Sequence, residues 1–236
     1  MEKDTQKTLL LKQPENGYRY GSDTIVLYDF FSSFKPSGYV LDVGSGCGIL
    51  ALLTKRDFEK TNVFAVELQK EMFQFGLYNR QANLIDVTFV KTAFQKFSPS
   101  CLFDFIVSNP PFFSKTTKQS QNKAISIAKY DEELPLGELA QKVSKILKPN
   151  GSFVFCYAAN RLNFVINTLK ENFLCANVMQ FVHTKTDKDA SLVLIKAKKN
   201  KVKSIKILPS FVYTVSGKSS KQLQEAIKKA NVKTIE

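Results

Sequence analysis

The sequence predicts an α/β protein built on a doubly wound sheet that is mostly parallel and has its last strand antiparallel. Short apolar runs alternate with amphipathic stretches from Tyr39 to Ile195, and a glycine-rich turn follows the first apolar run. Parallel neighbours require a crossover connection, whereas the last two apolar runs are too close together to enclose a helix. Alternating strands and helices that finish with such a short connection indicate this fold class.

The predicted strands are apolar runs rich in Val, Ile and Phe, as expected for strands that are buried on both faces. They cover Tyr39–Val43, Asn62–Val66, Val87–Val90, Phe103–Val107, Ser152–Tyr157, Val178–Val182 and Leu192–Lys196. The short connection is His183–Ser191. We therefore expect the last two strands to form an antiparallel hairpin at the edge of the sheet.

The predicted helices between these strands have apolar residues at helical spacing. They cover Ile49–Phe58, Lys70–Gln81, Leu136–Leu147 and Asn160–Asn172. Pro149 and Gly151 follow the third helix and are expected to end it, because neither residue favours a helix interior.

The segments that flank the core add further elements. Tyr18–Phe34 contains a predicted helix that begins near Asp23, which is a suitable N-cap. Ser204–Thr214 predicts a strand that is broken at Pro209. Ser219–Ala230 predicts a terminal helix capped by one of its first two residues, which are both serines.

The composition indicates a folded, soluble, cytoplasmic protein. Of the 236 residues, 44% are hydrophobic and 23% are charged, which is typical of globular proteins. No apolar run reaches the roughly 18 residues that a membrane-spanning helix needs. The first residues mix charges of both signs and do not resemble a signal peptide.

The cysteine and histidine content argues against a metal site and a disulfide framework. Cys47, Cys101, Cys156 and Cys175 lie far apart in the sequence, and His183 is the single histidine. Scattered cysteines without a C-x-x-C pair are usually reduced, buried thiols. One histidine also makes a Ser-His-Asp hydrolase an unfavourable hypothesis.

Positive charge is concentrated at the C-terminal end of the chain. The formal net charge is +13, and residues 185–236 hold 13 lysines against 4 acidic residues. A basic extension on a nearly balanced body favours a polyanionic partner, either a nucleic acid or an anionic membrane surface, although a solvated lysine face has the same composition.

The segment VLDVGSGCGIL joins the first predicted strand to a helix. Gly44, Gly46 and Gly48 allow a sharp turn and a close approach of the backbone to a ligand. Asp42 precedes the turn and would repel a pyrophosphate, so it favours a cationic or hydroxyl-bearing ligand. The turn contains no lysine, which excludes the phosphate-binding P-loop.

Glu67 ends the second strand, 19 residues after Gly48. A carboxylate at this place in a dinucleotide-binding fold accepts hydrogen bonds from ribose hydroxyls. The sequence therefore predicts that Glu67 binds the ribose of a nucleoside, rather than only capping the helix that follows.

The run Ser108-Asn109-Pro110-Pro111-Phe112-Phe113 follows the apolar strand that ends at Val107. Two prolines remove two N–H donors and leave carbonyls free to accept. Asn109 adds an amide oxygen, and Phe112 adds a flat apolar face. An exocyclic amine on a nucleobase needs these acceptors and a ring on which the base can stack.

LDVGSGCG, Glu67 and NPPF together resemble the class I S-adenosylmethionine (SAM)-dependent methyltransferases that modify amino groups. The resemblance implies a Rossmann-like methyltransferase sheet, SAM as cofactor and S-adenosylhomocysteine as product. It implies a target base held by Asn109, Pro110 and Phe112. It implies cofactor contacts from Asp42, Gly44, Gly46, Gly48, Glu67, Leu68, Ala93, Phe94, Asn109, Arg19 and Thr24.

A narrower resemblance covers nearly the whole chain. GYRYGSDTIVLYDF, AKYDEELPLGEL and VHTKTDKDASLVLIKAKK are similar to segments of bacterial tRNA adenine-N6 methyltransferases. The family's target is the adenine 3′ of the anticodon in a valine tRNA. The resemblance implies tRNA as partner, no membrane or metal, and a monomer. Residues 1–38 would pack on the cofactor side, residues 39–197 would form the core, and residues 198–236 would be a basic extension of the same domain.

The chain departs from this family at two places. Ala93 stands where the family commonly has an acid that binds the adenine amine of the cofactor, so its backbone and a stacked Phe94 would have to substitute. The residues around Lys129-Tyr130 also differ from the family pattern.

Contacts to RNA are expected from a polar, basic loop at Ser114–Lys129 and from the C-terminal extension. The candidates are Pro111, Phe113, Lys115, Lys118, Lys129, Lys198, Lys199 and Lys201.

The expected reaction is an in-line attack of the adenine amine on the methyl group, which needs alignment rather than a histidine base. Three alternatives stay open at the sequence level. They are methylation of guanine N2 in ribosomal RNA, methylation of a glutamine amide in a protein, and a catalytically silent RNA-binding protein on the same fold.

Overall fold

The computed structural model describes residues 7–15, 19–110, 134–199 and 202–235. Its strands are β1 (Leu9–Lys12), β2 (Tyr39–Val43), β3 (Asn62–Glu67), β4 (Thr88–Lys91), β5 (Phe103–Ser108), β6 (Leu147–Ala158), β7 (Cys175–Lys185), β8 (Ala190–Lys198), β9 (Lys206–Ile207), β10 (Phe211–Val215), β11 (Lys218–Ser219) and β12 (Val232–Ile235). Its helices are α1 (Ser22–Ser32), α2 (Ile49–Asp57), α3 (Lys70–Asn83), α4 (Leu136–Ile146), α5 (Leu162–Glu171) and α6 (Lys221–Ala230). None of these helices is long and apolar enough to cross a membrane.

The central sheet has the strand order β4-β3-β2-β5-β6-β8-β7, continued by β10 and β11, with β9 also paired to β7. Strands β2 to β6 pair in parallel, and β8 is antiparallel to both β6 and β7. The predicted doubly wound, mostly parallel sheet with a reversed last strand in the core is therefore confirmed.

Helices cover both faces of the sheet, and each face has its own hydrophobic core. Strand β6 illustrates how one strand serves both cores, because successive side chains point to opposite faces. Val154 and Cys156 pack on the face that carries α1 and α2, whereas Phe153, Phe155 and Tyr157 pack on the face that carries α4 and α5.

The hairpin of β7 and β8 forms as predicted, but its position at the sheet edge was a wrong prediction. Strand β10 pairs in parallel with β7 and extends the sheet beyond the hairpin. The predicted break at Pro209 separates β9 from β10, and β9 adds a second short pairing to β7. The C-terminal extension therefore continues the sheet and covers an edge that would otherwise be unpaired.

The ends of two helices differ from the sequence prediction, and the predicted serine cap of the last helix is confirmed. Gly21 caps α1, and Asp23 lies in the first turn of the helix. Helix α4 ends at Ile146, before Pro149, because Leu147 already pairs with Phe103 of β5. Ser220 is the cap of α6 and accepts a hydrogen bond from the Leu223 amide at 3.1 Å.

Strands β1 and β12 escaped sequence analysis. They form a separate parallel pair in which the two ends of the described chain meet, with Leu9 opposite Val232. Each strand is four residues long, which is too short to produce a periodic signal. Asn83 fixes this pair to α3, because its side chain accepts from the Leu10 amide and donates to the Leu10 carbonyl.

Arg56 joins the core to both ends of the chain. Its guanidinium donates to the carbonyls of Lys7, Lys229 and Ala230 and forms an ion pair with Asp57 at 2.5 Å. The side chains of the ion pair are only 7% and 10% exposed. The C-terminal extension is therefore attached to α2 by partly buried, charge-assisted hydrogen bonds.

Arg56→Ala is expected to lower the free energy of unfolding by about 3 kcal/mol, because it leaves the buried Asp57 carboxylate without its charge partner. Urea titration followed by circular dichroism measures this difference. Arg80→Ala is the control, since Arg80 contacts Asp86 at 4.0 Å on the surface, and a change of no more than about 0.5 kcal/mol is expected there. Equal effects of the two substitutions would contradict the role of Arg56.

Candidate nucleotide and cofactor cleft

The sheet topology brings the predicted site residues to one edge. Strands β2 and β5 are parallel neighbours, so the turn after Val43 and the segment after Ser108 leave the sheet side by side. The Ser108 hydroxyl donates to the Val43 carbonyl at 2.9 Å and ties the two strand ends together. Ligands of open α/β sheets bind at such an edge.

A cleft of about 730 Å³, part of it open to solvent, lies at this edge. A second hollow of about 360 Å³ adjoins it, between α1 and the glycine-rich turn. Gly44, Gly46, Met72 and Asn109 line both spaces, so the two spaces share one wall. The main cleft is lined by Val43, Gly44, Gly46, Val66, Glu67, Leu68, Gln69, Met72, Thr92, Ala93, Phe94, Gln95, Ser108, Asn109, Pro110 and Leu134.

The glycine-rich turn needs left-handed backbone at all three predicted glycines. At Gly44, with φ of 69°, an added Cβ would meet no atom within 4 Å, so its exposed backbone faces the open cleft. Gly48 has a different reason for being glycine. A Cβ there would lie 2.6 Å from the Phe89 ring, and Gly48 does not line the cleft. The position of Gly48 therefore does not support its predicted contact with the cofactor.

Glu67 lies at the carboxyl end of β3 and is 5% exposed. Its two carboxylate oxygens accept from the amides of Gly46 at 2.8 Å and Gln69 at 2.7 Å. Burial raises the pKa of Glu67, and these backbone hydrogen bonds partly oppose that rise. Each oxygen has a further lone pair, so Glu67 can hold the turn and accept from a ligand hydroxyl at the same time.

Asp42 is 1% exposed and lies on the α2 side of β2, beneath the turn. One oxygen accepts from the Ala51 amide at 3.1 Å. The other, Oδ1, has no hydrogen-bond partner among the residues that the structure describes. Burial, reinforced by the charge of Glu67, raises the pKa of Asp42 to about 8, although the Ala51 hydrogen bond opposes this shift.

Asn109 stands at the border of the two spaces with both ends of its amide engaged. Its Nδ2 donates to the Thr24 hydroxyl at 3.0 Å, and its Oδ1 accepts from the Cys156 thiol at 2.8 Å. The oxygen retains one lone pair and the nitrogen retains one hydrogen. Thr24, predicted as a cofactor contact, lines the smaller hollow beside Asn109.

Leu68, Ala93 and Phe94 all line the main cleft. The Glu67 carbonyl accepts a hydrogen bond from the Thr92 amide at 3.1 Å, which joins the end of β3 to the segment after β4 on this side of the cleft. Phe94 is 4% exposed and stacks on Phe97 with 6.4 Å between ring centroids. This arrangement leaves Phe94 with little free surface for stacking on a ligand.

Other predicted site residues lie elsewhere. Arg19 is exposed and outside the cleft lining. Lys198 pairs with Ser152, which pairs with Phe105 in the first half of β5, so Lys198 lies toward the end of the sheet opposite Asn109. Ser108 pairs with Phe155, so Ser152 lies four residues before the level of Asn109, which is roughly 13 Å along the strand at about 3.3 Å per residue. Antiparallel β8 thus carries Lys198 and the adjacent Lys199 away from the site rather than toward it.

Part of the predicted site falls outside the described residues, together with the loop Ser114–Lys129. The residues concerned are Pro111, Phe112, Phe113, Lys115, Lys118, Lys129 and Lys201.

Sequence analysis missed Cys156 and the pair of Asp23 and Tyr213. The Tyr213 hydroxyl donates to Asp23 at 2.7 Å, directly before Thr24 in the chain. Cys156 lies within an apolar strand, where a lone cysteine has the same pattern as any core residue. No signal in the sequence distinguishes these residues, because their partners lie 47 and 190 residues away.

The residues of the cleft fit SAM. Gly44 leaves room for a nucleoside over exposed backbone, and Glu67 can accept from ribose hydroxyls. The unpartnered Asp42 Oδ1 gives the adjoining hollow a buried acceptor that suits a cationic ligand. Among the described residues no group of three His, Cys, Asp or Glu side chains is placed to hold a metal ion.

Comparison with known proteins agrees with this fold and cleft. A predicted O-methyltransferase from Agrobacterium tumefaciens superposes with a TM-score of 0.68 at 13% identity, covering 90% of this chain and 99% of the other. A T. thermophilus 16S rRNA N2 G1207 methyltransferase, solved with AdoMet and guanosine, gives 0.55 at 18% identity over 77% and 44% of the two chains. The fold is that of SAM-dependent methyltransferases.

The sequence profile of the methyltransferase small domain matches residues 21–183. The chain belongs to this family.

Similar sequences include proteins named tRNA1(Val) (adenine(37)-N6)-methyltransferase. The one from Pseudoalteromonas translucida is 27% identical over 153 residues, which are 64% of this chain and 66% of the relative. The one from Aliivibrio salmonicida is 27% identical over 72% of this chain and 73% of the relative. The one from Dyadobacter fermentans is 29% identical over 62% and 61%. The chain thus spans about two thirds of the length of these relatives.

Asp42→Asn is expected to change how the stability of the ligand-free protein depends on pH. An unfolded aspartate ionises near pH 3.9, whereas folded Asp42 keeps its proton up to about pH 8. The wild type therefore loses stability as pH rises through this window, by up to about 1.4 kcal/mol per pH unit. The asparagine variant lacks this loss. Urea titrations between pH 4.5 and pH 9 measure the difference, and parallel profiles would contradict the buried, protonated state of Asp42.

Proposed function

We propose that this protein transfers a methyl group from SAM to the exocyclic N6 amine of an adenine in tRNA, the anticodon-loop adenine 3′ of the anticodon in a valine tRNA. The observation that carries the proposal is the place of Asn109, whose amide lines both the cleft and the adjoining hollow. The names of the related tRNA1(Val) methyltransferases support this choice of substrate.

The cofactor would be held by the turn at Gly44 and Gly46, by Glu67 at its ribose, and by Asp42 toward its cationic end. When bound, SAM supplies an electrophilic methyl group. Val66 fixes the turn by accepting from the Gly44 amide at 2.9 Å. The turn is therefore held in its binding conformation before a ligand arrives, which reduces the entropy lost on binding.

Asn109 and Pro110 would orient the amine. The second lone pair of Asn109 Oδ1 accepts one amine hydrogen, and the Pro110 carbonyl accepts the other. These two acceptors draw the nitrogen lone pair out of conjugation with the ring and direct it toward the methyl group. Holding the reacting atoms at near-attack distance can lower the barrier by about 7–11 kcal/mol. The proton leaves afterwards, when the methylated nitrogen has become acidic, and passes to water.

The target base has to leave its stack to enter the cleft. An anticodon-loop base is already partly unpaired, which lowers this cost relative to duplex DNA. The positive charge of the chain supports an RNA substrate, since lysines attract the phosphate backbone at long range. The proposal includes a monomeric protein that acts in the cytoplasm, where tRNA is modified.

Transfer of a labelled methyl group from SAM tests the proposed function. Unmodified tRNA, ribosomal RNA and a protein fraction serve as parallel substrates, and the labelled nucleoside is identified after digestion. We expect N6-methyladenosine from tRNA, and Asn109→Ala to reduce the rate by at least about 10²-fold with cofactor affinity unchanged. Three other outcomes would contradict the proposal and favour an alternative. They are N2-methylguanosine from ribosomal RNA, a methylated glutamine in the protein fraction, and RNA binding without methyl transfer.

The ribose contact of Glu67 has to be separated from its support of the turn. Wild-type protein is expected to bind S-adenosylhomocysteine at least about 10-fold more tightly than the analogue that lacks both ribose hydroxyls, because a buried acceptor then loses its donors. In Glu67→Ala the ratio of the two affinities should fall to about one, even if loss of the turn weakens both of them. Titration calorimetry gives the four affinities. A preference that survives the substitution would rule out the ribose contact.

A further inference from the structure

The Cys156 thiol is a buried polar group that the proposed reaction does not use. Cys156 is 0% exposed and points from β6 toward the face of the sheet that carries α1. Its neighbours Phe155 and Tyr157 point to the opposite face. On this face Cys156 is next to the carboxyl end of β5, because Phe155 pairs with Ser108. The thiol therefore lies directly behind Asn109.

The amide of Asn109 could in principle occupy its place in two orientations, with the oxygen and nitrogen exchanged. Thr24 does not distinguish the two, since a hydroxyl both donates and accepts. Cys156 favours one of them, because its sulfur is only a weak acceptor for an amide N–H, whereas its S–H can donate to an amide oxygen. Burial, together with the charge of Asp23, raises the pKa of this thiol, so it keeps its hydrogen at physiological pH. A thiol that keeps its hydrogen donates to an amide oxygen, and the observed contact is from Sγ to Oδ1 at 2.8 Å.

We propose that Cys156 is a positioning residue, whose S–H donates to Asn109 Oδ1 from behind and so turns the second lone pair of that oxygen toward the amine of the target base. The Thr24 hydroxyl accepts from Nδ2 at 3.0 Å and holds the other end of the same amide. The positioning role rests on the proposed function, since Asn109 has to accept from an amine for its orientation to matter.

Loss of the thiol has a specific consequence. Without a donor behind it, the amide can rotate by half a turn and present its NH2 group to the amine. Two facing donors repel each other, and the amine lone pair stays conjugated with the ring. Binding of the RNA through its phosphates does not depend on this orientation. The effect should therefore fall on kcat rather than on KM.

Three variants separate this role from simple core packing. Cys156→Ala removes the donor, and Cys156→Ser restores a donor at the same place. Val154→Ala is the control, because Val154 is also 0% exposed and lies on the same face of β6 in the same core, without a side chain that can donate. Methyl transfer to tRNA, affinity for S-adenosylhomocysteine and thermal stability are measured for each.

We expect Cys156→Ala to reduce kcat by about 10-fold, with KM for tRNA and cofactor affinity changed by no more than about twofold. Cys156→Ser should recover most of this loss, and Val154→Ala should lose stability but keep its kcat. The role is overturned if Cys156→Ala keeps the wild-type kcat, if serine does not improve on alanine, or if Val154→Ala is equally slow.

The positioning role and the proposed function can fail separately. If the wild type methylates a different amine, the kcat of each variant is compared with the wild-type kcat on that substrate. If it transfers no methyl group, the side-chain amide NMR signals of Asn109, identified by their loss in Asn109→Ala, still report the contact. These signals should shift in Cys156→Ala and stay in place in Val154→Ala. Unchanged signals in Cys156→Ala overturn the positioning role whatever the activity.

Discussion

The parallel pairing of β2 with β5 is the constraint on which the site depends. It brings the turn after Val43 and the amide of Asn109 to the same edge, although 65 residues separate the two strand ends. The Ser108 hydroxyl joins these ends by a buried hydrogen bond. Parallel strands need a crossover connection, and the connection between β2 and β5 contains α2 and α3, which pack in the same core.

The two acids beneath the turn lower the stability of the ligand-free protein. Asp42 and Glu67 are both buried, and burial raises the pKa of each. An unpartnered carboxyl oxygen at Asp42 costs free energy in the empty protein. A cation in the adjoining hollow would remove that cost. Functional sites commonly contain such locally unfavourable groups, which the rest of the fold holds in place.

Helix α1 links the cleft to the C-terminal extension. In its first turn, Asp23 accepts a hydrogen bond from the Tyr213 hydroxyl, and Thr24 accepts one from the Asn109 amide. Further along, Asp29 forms an ion pair with Lys229 of α6 at 2.8 Å. Eight of its residues are buried, since the sheet covers one side and the extension the other. Helix α1, which supplies the Thr24 contact to the Asn109 amide, is thus held by side chains of the C-terminal extension.

The sequence by itself determined the elements and the chemistry that are local in the chain. Periodicity gave the core strands and helices, and the glycine-rich turn, Glu67 and Asn109 are recognisable from their immediate neighbours. Only the tertiary structure decided which groups meet. It placed Cys156 behind Asn109, moved Lys198 toward the opposite end of the sheet, and paired β1 with β12. The reason is physical: strand direction and side-chain partners depend on contacts between segments far apart in sequence, for which local periodicity carries no information.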